Sequence, residues 1–261
     1  MPEEATVEAV TARPTLRLRG VGRRFGGLHA VRDVDLDVAT GERRAILGPN
    51  GAGKTTLFNV ISGDMAPTSG AIELFGQDVT ALGAPAKARL GLSRTYQKSR
   101  LFLGLSVEDN LYLAALGVGN GHFRMLRTAR DEELRNGARE VAARVGLDGR
   151  LSEVVGSLSH GEQRQLEVGM ALSGQPKLVM LDEPASGLSR GERVALTDLL
   201  LQLDRGITLI LIEHDMDVAL RVAQRVTMMH EGRTIVEGTP DEIRANQLVH
   251  DLYLGRAHTN E

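Results

Sequence analysis

The chain has 261 residues, 42% of them hydrophobic and 25% charged, with a formal net charge of −3, which suits one large globular domain carrying a subdomain and argues against a nucleic-acid partner held by bulk electrostatics. The absence of cysteine excludes disulfides, thiolate metal sites and a cysteine nucleophile, and the seven histidines lack a ligand-type His-x-x-x-His spacing. The acidic start Met1-Pro2-Glu3-Glu4 has no secretory layout, and apolar runs such as Leu209 to Ile212 fall far short of the roughly 18 residues of a membrane span, so any role in transport needs another polypeptide to form the path.

Residues 1–13 read as a flexible polar tail. Leu16 and Leu18, then Val34, Leu36 and Val38, alternate with polar residues, which predicts strands of a half-exposed antiparallel sheet. The runs Ala45 to Leu47, Leu178 to Leu181 and Ile207 to Ile212 are continuously apolar, as parallel strands buried on both faces require. Between them the pattern turns helical, with Leu111, Leu113 and Ala114 in one segment and Leu134, Ala138, Val141, Ala142 and Val145 in another, separated by a flexible break at residues 117–121. The layout expected is a single α/β domain over residues 14–240, with a helical subdomain at about 98–165 inserted in its core. Thr239-Pro240-Asp241-Glu242 is a helix-start signal that opens a C-terminal helical tail over 241–261.

The apolar run Ala45 to Leu47 leads into Gly48-Pro49-Asn50-Gly51-Ala52-Gly53-Lys54-Thr55, a full match to the phosphate-binding loop pattern, followed by Thr56. The glycines let the backbone turn its N–H groups onto a polyphosphate, Lys54 supplies a point charge, and the Thr55 hydroxyl suits Mg²⁺. The strand Leu178 to Leu181 ends in Asp182-Glu183. Beside a phosphate loop the first acid can hold Mg²⁺ and the second can deprotonate an attacking water, so the chemistry is hydrolysis. Ser159-His160-Gly161-Glu162 follows Leu158 and carries a capping box, whose helix N-terminus is a second anion site.

In this order the motifs resemble the ABC ATPase family from about residue 16 to the terminal helix. Leu158 to Glu162 is similar to the family signature LSGGQ, with His160 in place of a glycine and Glu162 in place of the glutamine. The resemblance implies that Phe25 stacks on adenine and that Gln97 ligands Mg²⁺ or water and senses the membrane partner. It also implies that His214 meets the γ-phosphate, and that Ser159 to Glu162 act on the ATP of an opposing subunit. The fold implied is a P-loop NTPase core with an antiparallel β subdomain and an inserted helical subdomain. Ser189 departs from the usual aspartate, yet Ser189 with Glu192 still makes a capping box.

Phe25 to Leu28, Thr56 to Gly63, Arg94 to Gln97 and Leu158 to Gln163 together look like the larger ATP-binding subunit of branched-chain amino acid importers. That resemblance implies ATP and Mg²⁺ as cofactors and a place on the cytoplasmic face of the cell membrane. Its partners would be membrane permease subunits, a sister ATPase or a second copy, and, indirectly, an extracytoplasmic binding protein. The apolar cluster Leu101, Phe102, Leu103 and Leu105 is read either as part of a groove for a permease helix or as subdomain core. A P-loop kinase or a non-transport ABC ATPase is the alternative. The kinase has no use for the signature or His214, and the other would carry tandem cassettes, a coiled coil or a basic stripe.

Overall fold

The computed structural model describes residues 13–96, 100–118 and 129–254. Strands β1 (Leu16–Phe25) and β2 (Leu28–Val38) pair antiparallel around the Gly26-Gly27 turn. With β4 (Ser69–Leu74) and β5 (Gln77–Asp78) they form a four-stranded sheet in the order β2-β1-β4-β5. Its alternation follows the sequence pattern: Leu16, Leu18, Val34, Leu36 and Val38 are buried, while Arg19, Asp33, Asp35 and Asp37 face outward.

The second sheet has six strands in the order β10-β9-β3-β8-β7-β6, formed by β3 (Arg43–Leu47), β6 (Leu92–Arg94), β7 (Leu178–Asp182), β8 (Thr208–Ile212), β9 (Arg225–His230) and β10 (Arg233–Gly238). All neighbours in it are parallel except the edge pair β9 and β10. The continuous apolar runs have the predicted cause. Ala45, Leu47, Val179, Leu181, Leu209 and Leu211 point into one core, and Ile46, Leu178, Met180, Ile210 and Ile212 into the other. The second core is closed by helix α1 (Lys54–Ser62) and the antiparallel sheet, through Leu57, Phe58, Ile61, Leu18 and Ile72.

Helix α2 (Ala84–Leu90) precedes β6, and its Lys87 is fully buried. The Lys87 ammonium donates to the carbonyls of Ile61 at 2.9 Å and Val60 at 3.3 Å, satisfying the C-terminal end of α1. The first core continues into α3 (Val107–Val118), α4 (Ala129–Arg144) and α5 (His160–Leu172). These helices close tightly at Gly169, where a Cβ would stand 3.1 Å from Leu111 and 3.3 Å from Val145. Helices α6 (Arg190–Gln202) and α7 (Met216–Val222) pack beside the sheet. The Thr239 capping box starts α8 (Pro240–Arg244), as predicted, and α9 (Gln247–Leu254) follows. Most of the 117–121 break and all of residues 1–12 lie outside the described residues.

The order of the parallel strands decides where the chemistry is placed. β3, β8 and β7 are adjacent and point the same way, so the loops leaving their C-terminal ends meet at one edge of the sheet.

Candidate functional site

The loop leaving β3 is Gly48 to Gly53. Gly48 and Gly53 have φ of 155° and 98°, and a Cβ at either would stand 2.2 Å from the Met229 carbonyl oxygen or 2.3 Å from that of Ala30. No other residue fits there. Gly53 caps α1 without a side-chain hydrogen bond, and the first turn of α1 holds no acid, so the positive end of the helix is left to a ligand. Lys54, 6% exposed, folds back over the loop and donates to the carbonyls of Gly48 at 2.7 Å and Pro49 at 3.0 Å. Burial pushes its ammonium below the usual lysine range, while Glu183 and Asp182 pull it upward. Thr55 is exposed at the start of the helix.

Around this loop opens a cavity of about 720 Å³ lined by Phe25, His29, Asn50 to Thr56, Glu183 and His214 among others. The Phe25 ring is 42% exposed at its rim, with the Arg23 guanidinium 4.8 Å from the ring centroid, so it does not fill the core. The loops leaving β7 and β8 supply the opposite wall. Glu183 sits at φ 51°, with its N–H donating to the Ile212 carbonyl at 3.0 Å and its carbonyl accepting from Arg164 at 3.1 Å. His214 Nε2 is 2.6 Å from Glu183 Oε1. The phosphate loop, the acid and the histidine predicted from separate parts of the chain therefore face one cavity.

Asp182 is 1% exposed. Its Oδ2 accepts from Arg94 Nη2 at 2.9 Å, whereas Oδ1 is buried with no hydrogen-bond partner among the described residues. Burial pushes its carboxyl above the usual aspartate range, against the pull of Arg94. Arg94 also donates to Asn59 Oδ1 at 2.6 Å, Ser62 Oγ at 3.0 Å and Asp64 Oδ2 at 3.1 Å. It thereby ties the acidic strand end to the far end of the phosphate-loop helix. Sequence reasoning used Arg94 only as part of the Arg94 to Gln97 segment that carries the importer resemblance and gave it no structural role. Gln97 lies outside the described residues.

The signature residues do not join this cavity within one chain. Ser159 caps α5, with its Oγ accepting from Glu162 N–H at 3.2 Å and Glu162 Oε2 accepting from Ser159 N–H at 2.8 Å, the capping box the sequence predicts. Glu192 does the same for Ser189 at the start of α6, and its Oε1 also accepts from Gly161 N–H at 2.9 Å. A Cβ at Gly161 would stand 2.7 Å from that carboxylate, and His160 packs beside Gly187. Ser159 to Glu162 thus form a helix end, exposed at Ser159 and His160 and half-buried at Gly161 and Glu162, apart from the residues that line the phosphate cavity.

A phosphate loop on a central parallel strand, flanked by an acidic strand end and a histidine loop, defines a P-loop nucleoside triphosphatase. Comparison with known proteins names the family. Residues 31–186 match the ABC transporter family, and the chain belongs to it and is an ATPase of that kind. Residues 233–259 match the branched-chain amino acid ATP-binding cassette transporter family. The chain is 37% identical to the high-affinity branched-chain amino acid transport ATP-binding protein LivG of Escherichia coli, over 94% of this chain and 100% of that protein. It is equally similar, over the same shares, to BraF of Pseudomonas aeruginosa, which carries the same description. Among solved structures it resembles the ADP conformation of an ATP-binding cassette from an ABC transporter, with a TM-score of 0.85 and 27% identity over 94% of this chain and 100% of that one. A nucleotide-free cassette superposes with a TM-score of 0.83, at 27% identity over 92% and 98% of the two chains.

Proposed function

We propose that this chain is the ATP-hydrolysing subunit of an importer for branched-chain amino acids or related small polar solutes, seated on separate permease subunits at the cytoplasmic face of the membrane. The observation that carries this reading is the 37% identity to LivG and BraF over their whole length, together with the C-terminal match at residues 233–259. Among the described residues no helix is long and apolar enough to cross a membrane, which agrees with a path formed by other chains. A ribose import ATP-binding protein of Rubrobacter xylanophilus is 36% identical over 93% of this chain and 48% of that protein, so the cassette by itself does not select the solute.

In this reading the triphosphate lies along Gly48 to Thr56, adenine rests on Phe25, and Lys54 turns from the loop carbonyls to the phosphates. The donor set fits Mg²⁺: the Asp182 carboxylate has a buried oxygen with no hydrogen-bond partner among the described residues, the Thr55 hydroxyl is exposed, and both are hard oxygen ligands. Gln97 would join them. When bound, the ion neutralises charge on the phosphate oxygens. Glu183 accepts a proton from the water that attacks the γ-phosphorus, and the bond to the bridging oxygen of ADP breaks. His214, whose Nε2 is 2.6 Å from Glu183 Oε1, would turn onto the γ-phosphate.

The helix end at Ser159 to Glu162, exposed at Ser159 and His160, supports a shared site, in which the signature of one subunit closes on the ATP of a sister ATPase or a second copy. Closure would favour one state of the permease through differential affinity, and the exposed side chains of Phe102, Leu103 and Leu105 offer a contact for it, while Leu101 packs into the core. The test is reconstitution in vesicles with the permease subunits and binding protein of a branched-chain amino acid importer. ATP-dependent uptake of labelled leucine is expected, and uptake of a sugar alone would overturn the substrate assignment.

A further inference from the structure

Glu213 closes β8 immediately before His214 and is 2% exposed, although a carboxylate is costly to bury. Its side chain spans two loops of the site. Oε1 accepts from the Ala185 N–H at 2.7 Å, and Oε2 accepts from the His214 N–H at 3.2 Å. Ala185 stands two residues beyond Glu183 on the loop leaving β7, and His214 opens the loop leaving β8. An apolar side chain would fill the same space without the desolvation cost, but it would leave those buried N–H groups without an acceptor.

Glu183 needs such support. Its φ of 51° lies in the left-handed region, which is strained for a residue with a Cβ and persists only where the surroundings impose it. The Glu183 N–H is tied to the Ile212 carbonyl, and its own carbonyl is tied to Arg164 on α5. Glu213 fixes the chain just beyond, joining the base-bearing loop to the backbone of the histidine loop, next to the direct contact of His214 with Glu183.

We propose that Glu213 is a positioning residue for ATP hydrolysis: by bridging Ala185 and His214 it sets the approach of the His214 ring to the Glu183 carboxylate and holds both toward the phosphate cavity. It does not line that cavity, so its effect falls on turnover and not on nucleotide binding. The inference rests on Glu183 being the general base.

The experiment compares Glu213→Gln, Glu213→Ala, Glu183→Gln, His214→Ala and the double variant Glu213→Ala/His214→Ala in the full chain, measuring kcat, KM, ATP affinity by equilibrium titration and thermal unfolding. Glu213→Ala is expected to lower kcat by about 10- to 100-fold, the range of a small misplacement of reacting groups, with ATP affinity within about 2-fold of wild type. Glu213→Gln keeps one acceptor and turns a donor on the other N–H, so its kcat should fall in between. The double variant should be no slower than His214→Ala, because both changes act through the same pair.

An unchanged kcat in the folded Glu213 variants, or losses that multiply with His214→Ala, would overturn the proposal. A rise in KM at constant kcat would overturn it as well. Should Glu213→Ala fail to fold, Glu213→Gln decides by the same criterion. Near-normal turnover by Glu183→Gln would instead remove the base on which the proposal rests, and so marks a different failure.

Discussion

Glu213 also predicts how the stability of the protein depends on pH. Burial pushes its carboxyl up to about 7 from 4.5, against the pull of the backbone N–H groups of Ala185, His214 and Asp215 and with a smaller push from the Asp215 charge. Between those values the folded chain holds a proton that the unfolded chain has released, so the free energy of unfolding falls as pH rises. The contribution is complete below pH 4.5 and is gone above about pH 7. At about 1.4 kcal/mol per pH decade the window is worth about 3 kcal/mol. Glu213→Gln cannot titrate, and other carboxyls affect both proteins alike, so the difference between the two stability curves isolates the group. Urea unfolding of the nucleotide-free chain, followed by circular dichroism at intervals from pH 4.5 to 7.5, should show wild type losing about 3 kcal/mol relative to Glu213→Gln across that range. A difference that stays constant within about 0.5 kcal/mol, or that moves in wild type's favour as pH rises, would refute the assignment of a burial-dominated carboxyl at this position.

Glu183→Gln should retain ATP affinity and lose at least about 10²-fold in turnover, measured as phosphate release, since a general base contributes that much or more. Neither Lys54→Ala nor Ser159→Arg chains should hydrolyse ATP alone, whereas mixing them should restore turnover through the one composite site that combines an intact phosphate loop with an intact signature; no recovery in a mixture shown by mass to contain dimers would count against the shared site. Phe102→Ala removes a side chain that is 51% exposed, so it should shift stability by no more than about 0.5 kcal/mol while uncoupling hydrolysis from uptake in reconstituted vesicles. A large fall in melting temperature would instead place Phe102 with Leu101 in the subdomain core.

Much of this molecule was legible because its strongest constraints are local. The phosphate loop needs glycine where the chain bends back under the Met229 and Ala30 carbonyls, and it needs a lysine and a threonine at fixed offsets, so Gly48 to Thr55 carry their function in their spacing. Strands buried on both faces have no polar side to show, which is why Leu178 to Leu181 and Leu209 to Ile212 stood out. The capping boxes at Ser159, Ser189 and Thr239 close within four residues and formed where their pattern occurs.

What the chain order could not reveal are contacts that join distant segments. Arg94 meets Asp182 and Asp64 only because β6 lies beside β7 and the end of α1 folds over both. Glu213 reads as one more charge in Glu213-His214-Asp215 until adjacent parallel strands bring Ala185 within hydrogen-bond reach. Lys87 has no meaning in sequence, yet it serves the open carbonyls of α1 from a separate helix. The separation of Ser159 to Glu162 from the phosphate cavity is likewise a fact of packing, since it depends on where the sheet edge and α5 come to rest. Local hydrogen bonds and backbone sterics act over a few residues and leave a pattern in the sequence; burial and electrostatic pairing depend on distances in space, which only the assembled sheet and helices define.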